Sequence, residues 1–545
     1  MSRFIFVTGG VMSSLGKGIA SASIGALLQL RGYTIKIKKL DPYINVDPGT
    51  MSPYKHGEVF VMDDGCEADL DFGHYERFTG ICCTKDDSLT TGRVYEKVLN
   101  KERHGDYLGS DIQVIPHITN EIKEFIKQNS DDVDFTICEI GGTVGDIEGL
   151  PYIEALRQLS IEMGKERTMR IHLTFLPYIR VAEELKTKPT QHSVKQLQSM
   201  GVQPDILLCR SEKPLNDEIK SKLAMFCSVD KDNVMAALDA SNIYLIPNQY
   251  HIEGLDKQIC KHFNLLTNKT EIMIEQSIKD KWAKLTDVIL HPKHNIKIAV
   301  VGKYTKLKDA YLSLTQAIAH AGYANEANVE ISWIDAEDSF ENIEKQLLGM
   351  KCIIVPGGFG SRGIEGKMHV IKYARENKIP FLGICLGLQL SVIEACRNIA
   401  GLTDATSREF SDTGSFVIDF MKNWDKEGAV EIRDESGDKG GTMRLGSYKC
   451  KIMNNSLAHK VYGELQITER HRHRYEVNYA EYSDIINKSG IIVSGTSTDG
   501  TLPEIIERKD HPFFIATQAH PEFKSSPLSP NPLFYSLIKA GLEMK

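Results

Sequence analysis

The stretch Phe381–Leu390, FLGICLGLQL, constrains this chain most. An apolar run from Ile379 to Leu382 suits a buried strand. Gly383-Ile384-Cys385-Leu386-Gly387 then turns, and a helix-like pattern continues to Glu394. Strand, Gly-flanked turn and helix together make a nucleophile elbow, in which small neighbours let the middle residue stand in a strained conformation. Here that residue is Cys385, and the helix N-terminus behind it favours the thiolate. A plain buried core cysteine is the competing reading. A thiolate nucleophile needs a base. Downstream, Gln518-Ala519-His520-Pro521-Glu522-Phe523 offers a His with a carboxylate two positions on. In a strand the two would share one side, and the carboxylate would fix the imidazole tautomer.

These pieces resemble the class I glutamine amidotransferases, whose elbow reads G-x-C-x-G-x-Q and whose distal piece reads H-P-E. Here they are Gly383 to Gln389 and His520-Pro521-Glu522, and a third piece, Pro356-Gly357-Gly358 after an apolar run, matches the family's oxyanion turn. The resemblance implies a catalytic Cys385, His520 and Glu522, with oxyanion N–H groups at Gly358 and Leu386. It also implies glutamine binding by Gly358, Leu386, Gln389, Glu409 and Arg474. Arg for a carboxylate and Glu for an ammonium is consistent charge logic. Such a domain hydrolyses glutamine to glutamate and ammonia, so the rest of the chain should say where the ammonia goes.

At 545 residues the chain has room for two to four domains. A net charge of -8 argues against a general nucleic-acid binder, and the short basic run Arg470–Asn478 does not reverse that. Eleven scattered cysteines without a metal-like CxxC, and no secretory signal, read as a reduced cytoplasmic protein. No apolar run reaches the ~18 residues of a membrane span.

The N-terminal half opens with an apolar strand, Phe4–Val7. Thr8 to Gly18, TGGVMSSLGKG, follows, then a helix from Ile19 to about Leu30. Strand, Gly-rich loop with Lys17, and helix form a phosphate cradle. It departs from a standard Walker A. The Gly10 to Gly16 spacing is one too long, and Gly18 stands where a Mg²⁺-binding Ser or Thr belongs, so the metal must be held elsewhere. An ordinary Gly-rich turn is the bland alternative. A second strand, Tyr33–Lys38, precedes a Pro/Gly-punctuated run and the acidic stretch from His56 to Phe78, most of it readable as a solvated face. A strand over Phe135–Cys138 ends in Glu139 beside Gly141-Gly142, where doubly wound sheets place ligand chemistry. The block Lys186-Thr187-Lys188-Pro189-Thr190-Gln191 suits a second polyphosphate or a basic surface loop. Ile206–Ser211 reads as a strand with Arg210 at its exit, and Tyr244–Pro247 as the last strand of this half.

Taken together these blocks resemble the CTP synthases along the whole chain: VTGGVMSSLGKG, KLDPYINVDPGTMSP, LDFGHYERF, EIGGTVGDIE, KTKPTQHSV, the elbow, RHRHRYEVN and HPEF. The resemblance implies an α/β fold of two doubly wound domains. Residues 1–266 would be a P-loop-like synthetase (amidoligase) domain, 267–295 a linker and 296–545 a class I glutamine amidotransferase domain. It implies ATP on Ser14, Leu15, Gly16, Lys17, Gly18 and Ile19, with Lys39, Asp71 and Arg210. Mg²⁺ would be held by Asp71 and Glu139. UTP, and CTP as feedback inhibitor, would take Ser13, Asp146, Ile147, Glu148, Lys186, Thr187, Lys188, Pro189, Thr190, Gln191 and Lys222. His56 would lie near the ammonia entrance, and Arg362 near a GTP activator. The implied assembly is a homotetramer, with filaments in some members, and no nucleic-acid or membrane partner. ATP would phosphorylate the 4-oxygen of the uracil ring, and ammonia would displace the phosphate. The competing readings are a P-loop amidoligase acting on a carboxylate and a nucleotide-binding scaffold with a dead glutaminase domain. The charged, Gly-rich segment Phe410–Arg444 has the character of a lid.

Overall fold

A computed structural model describes residues 2–49, 51, 57–265, 278–303, 308–420, 423–426, 429–432 and 443–544. His56, residues 267–277 of the expected linker and much of the expected lid lie outside the described residues. The chain forms two compact units, Met1–Pro48 with Asp71–Thr286, and Gly49–Leu70 with Asp287–Lys545. Residues 49–70, which the sequence places in the first domain, thus belong to the second unit.

In the first unit seven strands form one sheet: β1 (Arg3–Gly9), β2 (Ile35–Asp41), β3 (Ser88–Thr90), β4 (Phe135–Ile140), β5 (Thr168–Phe175), β6 (Ile206–Ser211) and β7 (Val234–Leu238). Their order is β7-β6-β5-β1-β4-β2-β3, all parallel. The strands read as continuous apolar runs because a parallel sheet is covered on both faces. β4 is buried along its whole length, Glu139 included. The carboxyl ends of the adjacent β1 and β4 open on a cleft lined by Thr8, Gly9, Gly141, Gly142, Thr143 and Asp146. α1 (Lys17–Leu30) and α2 (Asp71–Thr79) pack against each other. The expected strand at Tyr244–Pro247 is instead a 3-10 turn, Ile243–Leu245, running into a helix. Asn242 caps it by accepting the Tyr244 N–H at 3.0 Å, and Pro247 sits in the helix's first turn, where its missing N–H costs nothing.

The second unit holds a nine-stranded sheet. Its strands are β8 (His294–Gly302), β9 (Ala327–Asp335), β10 (Cys352–Val355), β11 (Phe381–Ile384), β12 (Arg444–Ile452), β13 (Gln466–His473), β14 (Ile492–Ser497), β15 (Pro503–Glu507) and β16 (Phe514–Thr517). The order is β9-β8-β10-β11-β16-β15-β14-β12-β13. β9 through β16 in that order are parallel, and the remaining pairs are antiparallel. Ile353, Val355 and Phe381 enter one apolar cluster and Ile354, Leu382 and Ile384 another, so alternate side chains fill both faces around the elbow. Residues 49–70 add a short hairpin, Phe60–Val61 with Glu67–Ala68. Phe60 packs edge-on to Phe523 at 5.4 Å, Asp63 accepts from Arg470 at 2.5 Å, and Glu67 accepts from Arg472 at 2.8 Å.

Candidate functional site

In the second unit, β11 stops at Ile384 and Cys385 takes φ 52°, ψ −101° before α6 (Leu386–Asn398) begins. Such a conformation costs a non-glycine residue on the order of 1–3 kcal/mol. Its surroundings hold it there. The Cys385 N–H donates to Thr517 O at 2.7 Å, and the Leu388 and Gln389 N–H groups donate back to Cys385 O at 3.0 and 3.2 Å. The flanking glycines are sterically required: a Cβ on Gly387 would lie 2.2 Å from Val355 O, and one on Gly383 2.8 Å from Ala516 Cβ.

His520 lies just beyond β16, with Nδ1 2.7 Å from Glu522 Oε1. The pair meets through a 3-10 turn, Pro521–Lys524, and not through the strand alternation expected from the sequence. Burial by itself would lower the His520 pKa; the Glu522 carboxylate and the Cys385 sulfur outweigh it and raise it to about 10. Gly357 faces both, since a Cβ there would lie 2.8 Å from His520 Cε1 and 3.6 Å from Cys385 Cβ. Beside Gly358 the Leu386 side chain approaches to 3.7 Å of the corresponding position, so the two expected oxyanion residues adjoin. Glu409 accepts the Gly360 N–H at 2.6 Å. Burial raises its carboxyl, opposed by that N–H and by Lys303 and Arg474, so the two groups expected at glutamine's ends act on each other.

Gln389 is engaged within the fold, donating to Tyr475 O at 2.9 Å and to Gln518 at 3.3 Å. Gln518 in turn reaches Cys385 Sγ at 3.6 Å. Sequence reasoning assigned Gln518 no role; its available signal was its place two residues before His520, just past a strand end.

In the first unit the phosphate loop is shaped by positive φ at Val11 (85°), Ser14 (58°) and Gly16 (93°). Ser13 and Ser14 are exposed, Leu15 is buried, and Ile19 lies partly exposed in the first turn of α1. Arg210 fastens the loop, donating to Ser14 O at 2.8 Å and to Asp239 at 2.8 Å. Lys17 donates to Gly142 O at 2.7 Å, which joins the loop to the turn after β4. The buried Lys39 amine pairs with Asp71 and stands 3.4 Å from Glu139 and 3.8 Å from Asp41. Tyr75 donates its hydroxyl to Glu139.

Gly18 explains the departure from a standard loop. A Cβ there would lie 2.0 Å from Asp71 Oδ1, so a carboxylate fills the space that a Ser or Thr side chain would need. Among the described residues no group of three or more His, Cys, Asp or Glu is arranged as a complete metal cage. Asp71 and Glu139 converge on one cation, Lys39. Two hard carboxylates fit what Mg²⁺ takes from a protein when phosphates and waters complete its octahedron.

The expected UTP residues divide into two groups. Lys186 pairs with Glu184, and Thr187 leads into α3 (Lys188–Ser199), with Pro189 in its first turn. Thr190 and Gln191 are buried and used internally. Thr190 bonds Thr174 at 2.8 Å, and Gln191 donates to Thr187 at 3.1 Å. Lys188 lies over the Phe226 ring at 5.9 Å on α4 (Asp217–Cys227), the helix that carries the exposed Lys222 one turn earlier. Asp146, Ile147 and Glu148 form a separate exposed turn, with Asp146 accepting the Thr143 N–H at 3.2 Å. That turn meets α3 at Gln196, whose Cγ is 3.2 Å from the Cβ position of Gly145.

No helix among the described residues is long and apolar enough to cross a membrane. All eleven cysteines are free thiols. The family model described as CTP synthase N-terminus matches residues 3–265, and that of class-I glutamine amidotransferase matches residues 306–540. A CTP synthase of Novosphingobium aromaticivorans is 53% identical over 546 residues, spanning 100% of this chain and 99% of the relative. A CTP synthase of Pelagibacter ubique is 53% identical over 546 residues, spanning 100% of both. A solved glutaminase domain of Trypanosoma brucei CTPS with bound acivicin is 36% identical over 46% of this chain and 95% of its own, with a TM-score of 0.41. Matched in both of its halves by family models and similar from end to end to the Novosphingobium and Pelagibacter enzymes, the chain belongs to the CTP synthase family.

Proposed function

We propose that the protein aminates UTP to CTP at the expense of ATP, using ammonia from glutamine hydrolysis or supplied free, through a 4-phosphorylated UTP intermediate. The observation that carries this reading is the presence in one chain of a strained Cys385 beside a His520–Glu522 pair and, in the other unit, a phosphate loop with Lys39, Asp71 and Glu139 at its mouth.

In the second unit the Cys385 thiolate attacks the glutamine side-chain carbonyl. The carbonyl electron pair moves to oxygen, where the Gly358 and Leu386 N–H groups receive it. Arg474 and Glu409 hold glutamine's carboxylate and ammonium. His520 gives its proton to the departing ammonia and then takes one from the water that hydrolyses the thioester. In the first unit the loop from Ser14 to Ile19 cradles the ATP phosphates. Lys39 swings from Asp71 to the phosphates, and Ser13, the Lys186–Gln191 block and Lys222 hold the UTP triphosphate. Mg²⁺ bound by Asp71 and Glu139 would neutralise the charge on the transferring phosphoryl group. Excluding water protects the phosphorylated intermediate, which ammonia attacks only when unprotonated. CTP as inhibitor at Asp146–Glu148, GTP as activator, a homotetramer with filaments in some members, and a cytoplasmic location complete the proposal.

Two variants test it together, with the uracil-to-cytosine conversion followed spectroscopically. Cys385→Ala is expected to abolish CTP formation from glutamine and leave formation from ammonium. Glu139→Ala is expected to abolish both. Equal loss of both activities in Cys385→Ala would refute two separate sites, and ammonium-driven turnover in Glu139→Ala would refute its metal role.

A further inference from the structure

Lys367 lies near the start of α5 (Ile364–Asn377), its N–H donating to Gly363 O at 3.1 Å. Its side chain is fully buried at 0% exposure, and among the described residues its amine has no hydrogen-bond partner. Burying an unpaired amine is unfavourable, so packing gives no reason for a lysine here. Its position gives one. Nζ lies 3.7 Å from where a Cβ on Gly358 would be, as close as the Leu386 side chain. The amine therefore ends against the turn expected to hold the glutamine oxygen.

Lys303, at the end of β8, is also buried on this turn but differs in kind. It donates to Phe359 O at 2.8 Å and to Gly360 O at 2.6 Å, so its charge is spent on fixing the turn. The charged and titratable groups facing Lys367 are Lys303 from β8, Cys385 from the elbow and Glu409 from the segment after α6. Burial lowers the Lys367 amine to about 7, helped by Lys303 and opposed by Cys385 and Glu409. A negative charge added on the Cys385 side strengthens its hold on its proton.

We propose that Lys367 is a positioning residue of the glutaminase site, whose sealed amine acts through the Gly357–Gly358 turn to balance the anion formed when Cys385 attacks glutamine. Lys367 transfers no proton in this step. The Sγ–C bond forms, the carbonyl pair moves to oxygen, and the nearby ammonium lowers the energy of that charge. The inference rests on the reading of Cys385 as the nucleophile.

The test compares Lys367→Met, which keeps the stem and removes the charge, with Lys367→Arg, which restores a charge. Cys385→Ala is carried alongside, and glutamine hydrolysis, ammonium-driven CTP formation and thermal melting are all measured. For Lys367→Met the expected result is a fall in glutaminase kcat of about ten-fold, less than the loss of a direct oxyanion donor. KM for glutamine and the ammonium-driven rate should stay within about two-fold of the parent. The melting temperature should hold or rise, because a buried unpaired amine has been removed. Lys367→Arg should recover part of the lost kcat. An unchanged kcat in Lys367→Met, with Cys385→Ala inactive on glutamine, would overturn the role of Lys367 alone. A joint fall of both activities and of melting temperature would make it structural. Glutamine hydrolysis surviving in Cys385→Ala would overturn the nucleophile reading and this inference with it.

Discussion

His520 is a largely but not fully enclosed histidine that holds its proton, because Glu522 stands 2.7 Å from Nδ1 and the Cys385 sulfur adds to the attraction. With its pKa raised to about 10 from an ordinary 6.5, the charged pair stabilises the fold fully below the unfolded value and loses that contribution as pH rises through about 10. Glu522→Gln removes the main attraction and leaves burial to act. The imidazolium should then lose its proton at lower pH, drawing the basic limb of the glutaminase pH profile downward. Glutaminase kcat should fall by about a hundred-fold, with ammonium-driven CTP formation intact. A profile that stays in place would show that Glu522 does not set the charge of His520. At this scale the sequence was legible where chemistry and punctuation coincide. Cys385 sits between glycines, and His520 and Glu522 sit around a proline. Lys367 was hidden because a lysine among the charged residues of GIEGKMHVIKYAR reads as solvent-facing, and only the three-dimensional path of α5 turns it inward. Gln518 was hidden because its contact with Cys385 joins two strand ends far apart in sequence.

Among the elements, the turns at the two strand-to-helix junctions depend on glycines for different reasons. At the phosphate loop, Gly18 makes room for the Asp71 carboxylate. Gly18→Ala should push that carboxylate aside. Activity with either nitrogen source should fall, and the Mg²⁺ concentration needed for half-maximal rate should rise by about ten-fold; an unchanged Mg²⁺ dependence would separate Asp71 from the metal. At the elbow, a Cβ on Gly387 meets the backbone oxygen of Val355, which has no flexible end to yield. Gly387→Ala should therefore destabilise the second unit by roughly 1–3 kcal/mol, seen as a lower denaturant midpoint, and should abolish glutamine hydrolysis. The parallel strands were readable as apolar runs bounded by glycine. The antiparallel extension β15-β14-β12-β13 was not. Its strands mix charged and apolar residues, and hairpin pairing leaves no crossover signature in the chain. Tyr244–Pro247 misleads for a related reason: a short apolar run fits a strand and a helix equally, and here the Asn242 cap and Pro247 decide for the helix.

At the scale of the whole molecule, the second unit recruits residues 49–70 from the N-terminal half. This excursion was not legible, because LDPYINVDPGTMSP reads as a long loop whose destination composition does not disclose. Its contribution is specific. Asp63 accepts from Arg470 at 2.5 Å and from Ser447 at 2.6 Å, and the Arg470 side chain is only 1% exposed. Asp63→Ala removes the carboxylate from that guanidinium and leaves it the Val61 carbonyl at 3.0 Å, and the second unit should lose roughly 1–3 kcal/mol of stability, measured by chemical denaturation. A loss under about 0.5 kcal/mol would place the pair with ordinary surface ion pairs.

The excursion also bears on how such a gene can be divided. The chain passes between units at 48/49, 70/71 and 286/287. A single break at the last crossing yields one polypeptide without the hairpin its fold uses and another carrying that hairpin away from Arg470, Arg472 and Phe523, the side chains it packs against. Of two separately translated halves only the second would be incomplete, so a bipartite version of this protein would require residues 49–70 to be moved, not merely a stop and a start inserted between the halves.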